Sequence, residues 1–251
     1  MDVSDDPIAA TRALLNTGAT LRHGYLDVLG ESVSSPVPTF AQRAMNSRFV
    51  ATVYERAWRP TSFYVASGVT TRAEQQRAIR DLKLSATTKL LDIACGPGNF
   101  TQRLARPISD GIAVGLDISE PMLRRAVHDN GGARTCYVRA DARELPFDDE
   151  TFDAVCCFGA LYLMPEPLRV AAEMVRVLAP AGRVAILTSC TSSVAPVRMA
   201  LAPAAAVVGL RMFDRHTFVE LFASAGLHDI RQEIQRALQY VTAAKPAEIT
   251  R

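Results

Sequence analysis

The stretch KLLDIACGPGNFTQRLARPI, residues Lys89 to Ile108, decides how the chain is read. A short apolar run reaches Asp92, passes through a glycine-rich elbow at residues 95 to 98 and enters a helical pattern. Glycines in such a turn let a ligand approach the backbone closely, and a helix start offers free amide groups. The dinucleotide fingerprint G-x-G-x-x-G falls on Gly96, Gly98 and Thr101, so its third glycine is absent. The turn alone therefore leans away from a nicotinamide or flavin cofactor.

Two further acids narrow the choice. The next apolar run ends in VGLDIS and places Asp117 where a carboxylate can accept both hydrogen bonds of a ribose diol. Nicotinamide dehydrogenases share that acid. The following run leads into RADARELPFDDETFD, with Asp141 at the carboxyl end of a strand, where it can accept a bond from an adenine amino group. Asp92, Asp117 and Asp141 at three successive strand ends suggest a ligand that joins a nucleoside to an amino acid.

Outward from the elbow, short apolar runs alternate with helical patterns, the sequence form of an α/β fold with a parallel sheet covered by helices. Strands are expected over 89 to 93, 111 to 116, 134 to 139, 152 to 158 and 182 to 188, and helices over 99 to 106, 119 to 130 and 165 to 178. SEPM at 119 to 122 is a good helix start, and APAGR at 179 to 183 breaks one helix before the next strand. Residues 188 to 212 read as an inserted helical element, FDRHTFVELFASAG as an amphipathic helix, and 228 to 235 with 237 to 244 as an antiparallel pair. Before the core, residues 7 to 29 and 40 to 57 have helical spacing, and TTRAEQQRAIRDLKL is a polar helix. The expected organisation is a helical cap over 1 to 85, a ligand-binding core over 86 to 190, and a substrate-side insertion with a closing strand pair over 191 to 251.

Composition limits the function classes. With 251 residues, 49% hydrophobic, 22% charged and a net charge of +2, the chain suits one sizeable domain with an added cap and lacks the footprint of a nucleic-acid binder. Five cysteines include no C-x-x-C pair and no histidine at metal spacing, which argues for no metal and a reducing, cytoplasmic setting. The start MDVSDDPIAA is acidic where a secretory signal is basic, and the longest apolar run, Met199 to Leu210, is interrupted by Pro203. It falls short of the roughly 20 residues that a membrane span needs.

LLDIACGPGNFT, VGLDIS, DARELPFDDETFDAVCC and MVRVLAPAGRVAI resemble the ordered motifs of class I S-adenosylmethionine-dependent methyltransferases, in particular the small-molecule branch that includes quinone-biosynthesis enzymes. The resemblance covers residues 86 to 190 and implies a Rossmann-like, seven-stranded, mostly parallel sheet whose last strand is antiparallel. It implies S-adenosyl-L-methionine as cofactor. Asp92, Ala94, Gly96 and Gly98 would surround its methionine part, Asp117 would bind the ribose, and Ile118 would pack on the adenine. Asp141 with the Ala142 amide would read the adenine edge, while Phe158 and Gly159 would pass near the sulfonium. Ala94 stands where the family usually has its first glycine, and Asn99 replaces a frequent third one. Tyr54, in an aromatic cluster with Trp58, Phe63 and Tyr64, would reach the cofactor; the plain alternative is core packing under the cap.

No catalytic pair is evident, and direct in-line methyl transfer needs a base only if the acceptor must lose a proton. Tyr162, at the mouth of the site, and His216, in the substrate-side segment, are the candidates. Cys156 and Cys157 read as small apolar packing residues, and Asp148, Asp149 and Glu150 as a solvated turn. The apolar segment 194 to 210 points to an apolar or aromatic small molecule, a quinol, phenol or lipid-like acceptor. The rival readings are a noncatalytic S-adenosylmethionine-binding protein and an NAD(P)-dependent oxidoreductase.

Overall fold

The run that precedes the elbow is strand β3, Lys89–Ile93, and it lies at the centre of the sheet. The computed structural model describes residues 6–30, 71–191 and 211–247. Its strands are β1 (Thr20–Arg22), β2 (Tyr25–Asp27), β3, β4 (Ile112–Asp117), β5 (Thr135–Arg139), β6 (Phe152–Phe158), β7 (Leu178–Ser189), β8 (His228–Gln235) and β9 (Leu238–Ala244). The helices are α1 (Pro7–Arg12), α2 (Thr71–Asp81), α3 (Asn99–Leu104), α4 (Glu120–Asn130), α5 (Pro167–Arg176) and α6 (Thr217–Ser224).

The nine strands of the described residues form one sheet in the order β1-β2-β5-β4-β3-β6-β7-β9-β8. From β5 to β8 this is the expected seven-stranded core: β5, β4, β3, β6 and β7 run parallel, and β9 is antiparallel to both of its neighbours. The strand count differs from expectation because β1 and β2 extend the sheet, with β2 parallel to β5.

Parallel strands buried on both faces read as continuous apolar runs rather than as alternation. LLDI and AVGL are of this kind, and Leu90, Leu91, Ile93, Ala113 and Val114 are all buried. One face carries Leu91, Val114, Val155, Val184, Ile186 and Val241 beneath α5 and α6. The other carries Leu90, Ala113, Ala154, Ala185 and Tyr240 beneath α2 and α3. Helix α5 presents Val170, Ala171 and Met174 to the core, the i, i+1, i+4 stripe of an amphipathic helix.

Two expectations are corrected. Residues 7 to 29 are not helical throughout: α1 ends at Arg12, and Thr20 to Asp27 is a hairpin. Arg22 pairs with Tyr25, so His23 and Gly24 form a two-residue loop, and both have positive φ (47° and 84°), the geometry of the turn that matches strand twist. The breaker at 179 to 183 lies inside β7 rather than before it. Leu178 pairs with Phe152 and Arg183 with Ala154, and the intervening residues bulge out, with Ala181 at φ 61°. Residues 31 to 39, 40 to 57 and 59 to 68, and most of the inserted element at 188 to 212, lie outside the described residues.

At the opposite end of the sheet from the elbow, the amides of Ser109, Asp110 and Gly111 all donate to the Ala86 carbonyl, at 3.0, 2.8 and 2.9 Å. A Cβ on Gly111 would collide with the Thr88 carbonyl, which is backbone at the start of β3 and has no room to yield. Gly111→Ala should therefore destabilise the fold by about 2 kcal/mol. Urea denaturation checks this, with a lower midpoint expected at an unchanged slope.

Candidate active site

Because β3 to β7 run parallel, the residues that follow each strand gather at one edge of the sheet. The chain moves outward from β3 on one side to β4 and β5 and on the other to β6 and β7. This reversal opens a crevice at the carboxyl ends of the strands, the usual ligand position in such sheets. The elbow after β3, Asp117 at the end of β4, Asp141 just after β5, and Phe158 with Gly159 at the end of β6 all belong to that edge.

The elbow is fastened from within. Asp92 is 2% exposed, and its Oδ2 accepts a bond from the Thr101 hydroxyl at 2.6 Å, which ties α3 back onto β3. Its other oxygen accepts a weak bond from the Cys156 thiol at 3.6 Å. Ala94, Gly96 and Gly98 have φ of 57°, 55° and 78°, so the chain turns through left-handed backbone at all three. A Cβ on Gly98 would meet the Tyr137 ring at 2.8 Å, which leaves glycine as the only residue that fits there. Behind it, Asn130 Nδ2 donates to the Pro97 carbonyl at 2.7 Å, and the Tyr137 hydroxyl donates to the Asn130 carbonyl at 2.8 Å.

Asp117 closes the elbow against the end of β4. Its Oδ2 accepts from the Gly96 amide at 2.9 Å and its Oδ1 from the Ser119 amide at 2.8 Å. Burial pushes its pKa above the ordinary aspartate value, and the amides of Ser119, Gly96 and Ile118 oppose that rise. Each carboxylate oxygen offers about two lone-pair sites, so a ribose diol can still be accepted beside the two amides. A Cβ built on Gly96 meets nothing within 4 Å, so the backbone there faces open space. These residues fit an adenosyl ligand.

Asp141 is engaged. Arg143 donates to it from its backbone amide at 2.9 Å and from Nη2 at 2.7 Å, and reaches Glu166 with Nη1 at 3.0 Å. Burial raises the Asp141 pKa, but the bonds from Arg143 outweigh it and hold the carboxyl below its usual range. Ile118 and Ala142 are partly exposed, and Ala142 also packs on the core.

On the other flank the Phe158 ring lies 4.7 Å from that of Phe100 and 6.1 Å from that of Tyr240, with the Arg77 guanidinium 3.9 Å over Tyr240. Phe158 is 7% exposed and packs in the core cluster on this face of the sheet. Gly159 turns at φ 73° and donates to the Leu187 carbonyl at 2.8 Å. Tyr162 lies in the single turn Leu161–Leu163, and its carbonyl accepts from the Arg211 amide at 3.1 Å. His216 is exposed just before α6, and its amide donates to Asp214 Oδ1 at 2.9 Å. The Ser189 hydroxyl donates to the Arg211 carbonyl and the Thr191 amide to the Phe213 carbonyl, which holds residues 211 to 213 at the carboxyl end of β7. Tyr54 and its aromatic neighbours lie outside the described residues.

The turn at 148 to 150 is exposed but paired: Asp149 meets Arg176 at 2.8 Å and Glu150 meets Lys245 at 2.9 Å. Cys156 and Cys157 are fully buried, and burial raises both thiols well above the ordinary range, which makes them inert packing residues. Among the described residues no group of acids, cysteines and histidines could hold a metal, and no helix is long and apolar enough to cross a membrane. Asn130, Tyr137 and Arg139 were not singled out in the sequence, and Thr101 only as the residue in place of a third glycine. The signal for Tyr137 and Arg139 is a polar group within, or at the end of, the apolar strand β5.

Comparison with known proteins agrees with this geometry. Residues 91–186 match a family model described as "Methyltransferase domain". A demethylmenaquinone methyltransferase from Roseiflexus castenholzii is 40% identical over 99 residues, which are 39% of this chain and 42% of that protein. One from Bacillus subtilis is 37% identical over 117 residues, 45% of this chain and 50% of that protein. The chain thus spans at most half the length of these curated relatives. A phosphoethanolamine N-methyltransferase 2 from Haemonchus contortus, solved with S-adenosyl-L-methionine, superposes with a TM-score of 0.65 at 16% identity, over 86% of this chain and 61% of its own. With the strand order and the elbow, these matches show that residues 91–186 are similar to methyltransferase domains and that the fold is the one found in the solved methyltransferase.

Proposed function

We propose that the chain is an S-adenosylmethionine-dependent methyltransferase acting on a small apolar or aromatic acceptor, such as a quinol, phenol or lipid-like molecule. The observation that carries this reading is the bond from the Gly96 amide to Asp117, which joins the elbow and the ribose acid into one cradle. S-adenosylmethionine supplies a methyl group on a sulfonium, which an acceptor takes by direct in-line displacement. What the chain must do is hold two molecules in line, and positioning of this kind is worth about 7 to 11 kcal/mol.

In this reading the backbone at Ala94, Gly96 and Gly98 bounds the methionine part, Asp117 accepts the ribose hydroxyls, Ile118 covers the purine and Asp141 reads its edge. Asp92 contributes through Thr101, by keeping the elbow closed. Phe158, backed by Phe100 and Tyr240, excludes water beside the reacting centre. His216 is the candidate for taking a proton from an acidic acceptor, and Tyr162 is one only as its phenolate.

The acceptor class rests on the demethylmenaquinone methyltransferase relatives and on the apolar sequence between Val194 and Leu210. An NAD(P)-dependent oxidoreductase fits less well. Where the dinucleotide fingerprint requires a third glycine for close packing, Thr101 is fully buried and bonded to Asp92. A noncatalytic S-adenosylmethionine-binding protein would share the cradle and is separated from an enzyme by turnover.

Three outcomes are expected. Asp117→Ala removes charged acceptors for two hydroxyls and should weaken S-adenosylhomocysteine about 100-fold by calorimetry. In the wild type the same affinity should fall on acidification, because protonation removes the acceptor. Since the Asp117 pKa is raised, the fall should begin above the pH near 3.9 at which an ordinary aspartate titrates. Incubation with labelled S-adenosylmethionine should methylate a demethylated naphthoquinol or a catechol but not a polar phenethylamine. Methylation of the amine alone would reject the acceptor class, and no methylation at all, with binding intact, would favour the noncatalytic reading.

A further inference from the structure

The hairpin at the edge of the sheet lies outside the seven-stranded core, yet it is wired to the carboxylate at the centre of the crevice. Strand register aligns Asp27 with Arg139 and Arg139 with Asp117 across three neighbouring parallel strands, all at their carboxyl ends. The Asp27 side chain is 1% exposed and that of Arg139 12%. Arg139 Nη1 donates to Asp27 Oδ2 at 3.2 Å and to the Gly30 carbonyl at 3.1 Å. Its Nε donates in another direction, to the Ile118 carbonyl at 3.3 Å.

The Ile118 carbonyl and the Ser119 amide belong to a single peptide plane, which is rigid. That amide donates to Asp117 Oδ1 at 2.8 Å. Hydrogen bonds therefore run without a break from Asp27 through Arg139 and one peptide to the ribose acid, and each polarises the next. Only a guanidinium fork can serve Asp27 and Ile118 together; a lysine offers a single point of charge. Asp27 is in turn fixed by the amides of Leu29 and Gly30, at 3.0 and 3.1 Å, and by Arg22 at 3.5 Å.

We infer that Arg139, held by Asp27, is a positioning residue for the adenosyl pocket, so that the N-terminal hairpin is a working part of ligand binding. This rests on the proposed S-adenosylmethionine reading. Arg139 acts through the 118–119 peptide, by setting the direction from which Asp117 meets the ribose.

The test is calorimetric titration of S-adenosylhomocysteine and of adenosine, well below the unfolding temperature, on the wild type, Asp27→Asn, Arg139→Lys and the double variant Asp27→Asn/Arg139→Gln. Arg139→Gln alone strands a buried carboxylate and is expected to lower stability, so the double variant removes both charges. Adenosine and S-adenosylhomocysteine should weaken by the same factor, about tenfold, in all three variants. The double variant should lose no more than Arg139→Lys, because one chain of bonds is cut in each. A purely structural role would lower the melting temperature and leave both dissociation constants at wild-type values, and that result overturns the inference while the cofactor reading stands. If the wild type binds neither ligand, the cofactor reading fails and this inference fails with it.

Discussion

A single buried bond, from the Thr101 hydroxyl to the Asp92 carboxylate, makes the rest of the site possible. A carboxylate that is 2% exposed is costly unless its oxygens are satisfied, and here the partner is the first turn of the helix that follows the elbow. The bond forces the chain to reverse within residues 94 to 98, and that reversal is what demands left-handed backbone at Ala94, Gly96 and Gly98. The Gly96 amide then points at Asp117, and the cradle closes. Ala94 shows that the geometry, rather than glycine itself, is the requirement there: the residue accepts φ 57° at some cost in strain.

Around this brace the sheet does the remaining work of assembly. Parallel strands deliver their carboxyl ends to one edge, so residues distant in sequence become neighbours without any long-range device. The two flanks differ in kind. One, from β4 to β2, is ionic, with Arg139 paired to Asp27, Arg143 paired to Asp141, and Asp117 reached from Arg139 through the 118–119 peptide. The other, from β6 to β9, is aromatic, with Phe100, Phe158 and Tyr240 in sequence. The proposed function uses this asymmetry, with the nucleoside on the ionic flank and the acceptor toward the aromatic one.

Much of this was legible in the sequence, for physical reasons. Strands β3, β4, β5 and β6 are buried on both faces, and their apolar runs are bounded sharply by Asp, Gly and Pro. Residues 228 to 235 and 237 to 244 were readable as an antiparallel pair because the turn between them is so short, and the observed strands are His228–Gln235 and Leu238–Ala244. The hairpin at Thr20 to Asp27 was not, because three-residue strands carry too little alternation to compete with an apparent helical spacing. The His23-Gly24 dipeptide was the only local cue. The positions of Asp92, Asp117 and Asp141 at strand ends were readable, but their side-chain partners were not. That Asp92 turns inward to Thr101, that Asp141 is held by Arg143 and that Arg139 spans two loops depend on packing between elements.

The most direct test of the account is a crystal structure of the protein with S-adenosylhomocysteine. The account predicts the ribose hydroxyls on Asp117, the amino-acid end against the elbow at residues 94 to 98 and the purine beside Ile118 and Asp141. The nucleoside bound elsewhere on the protein, or lying in the crevice with its ribose turned away from Asp117, would contradict it.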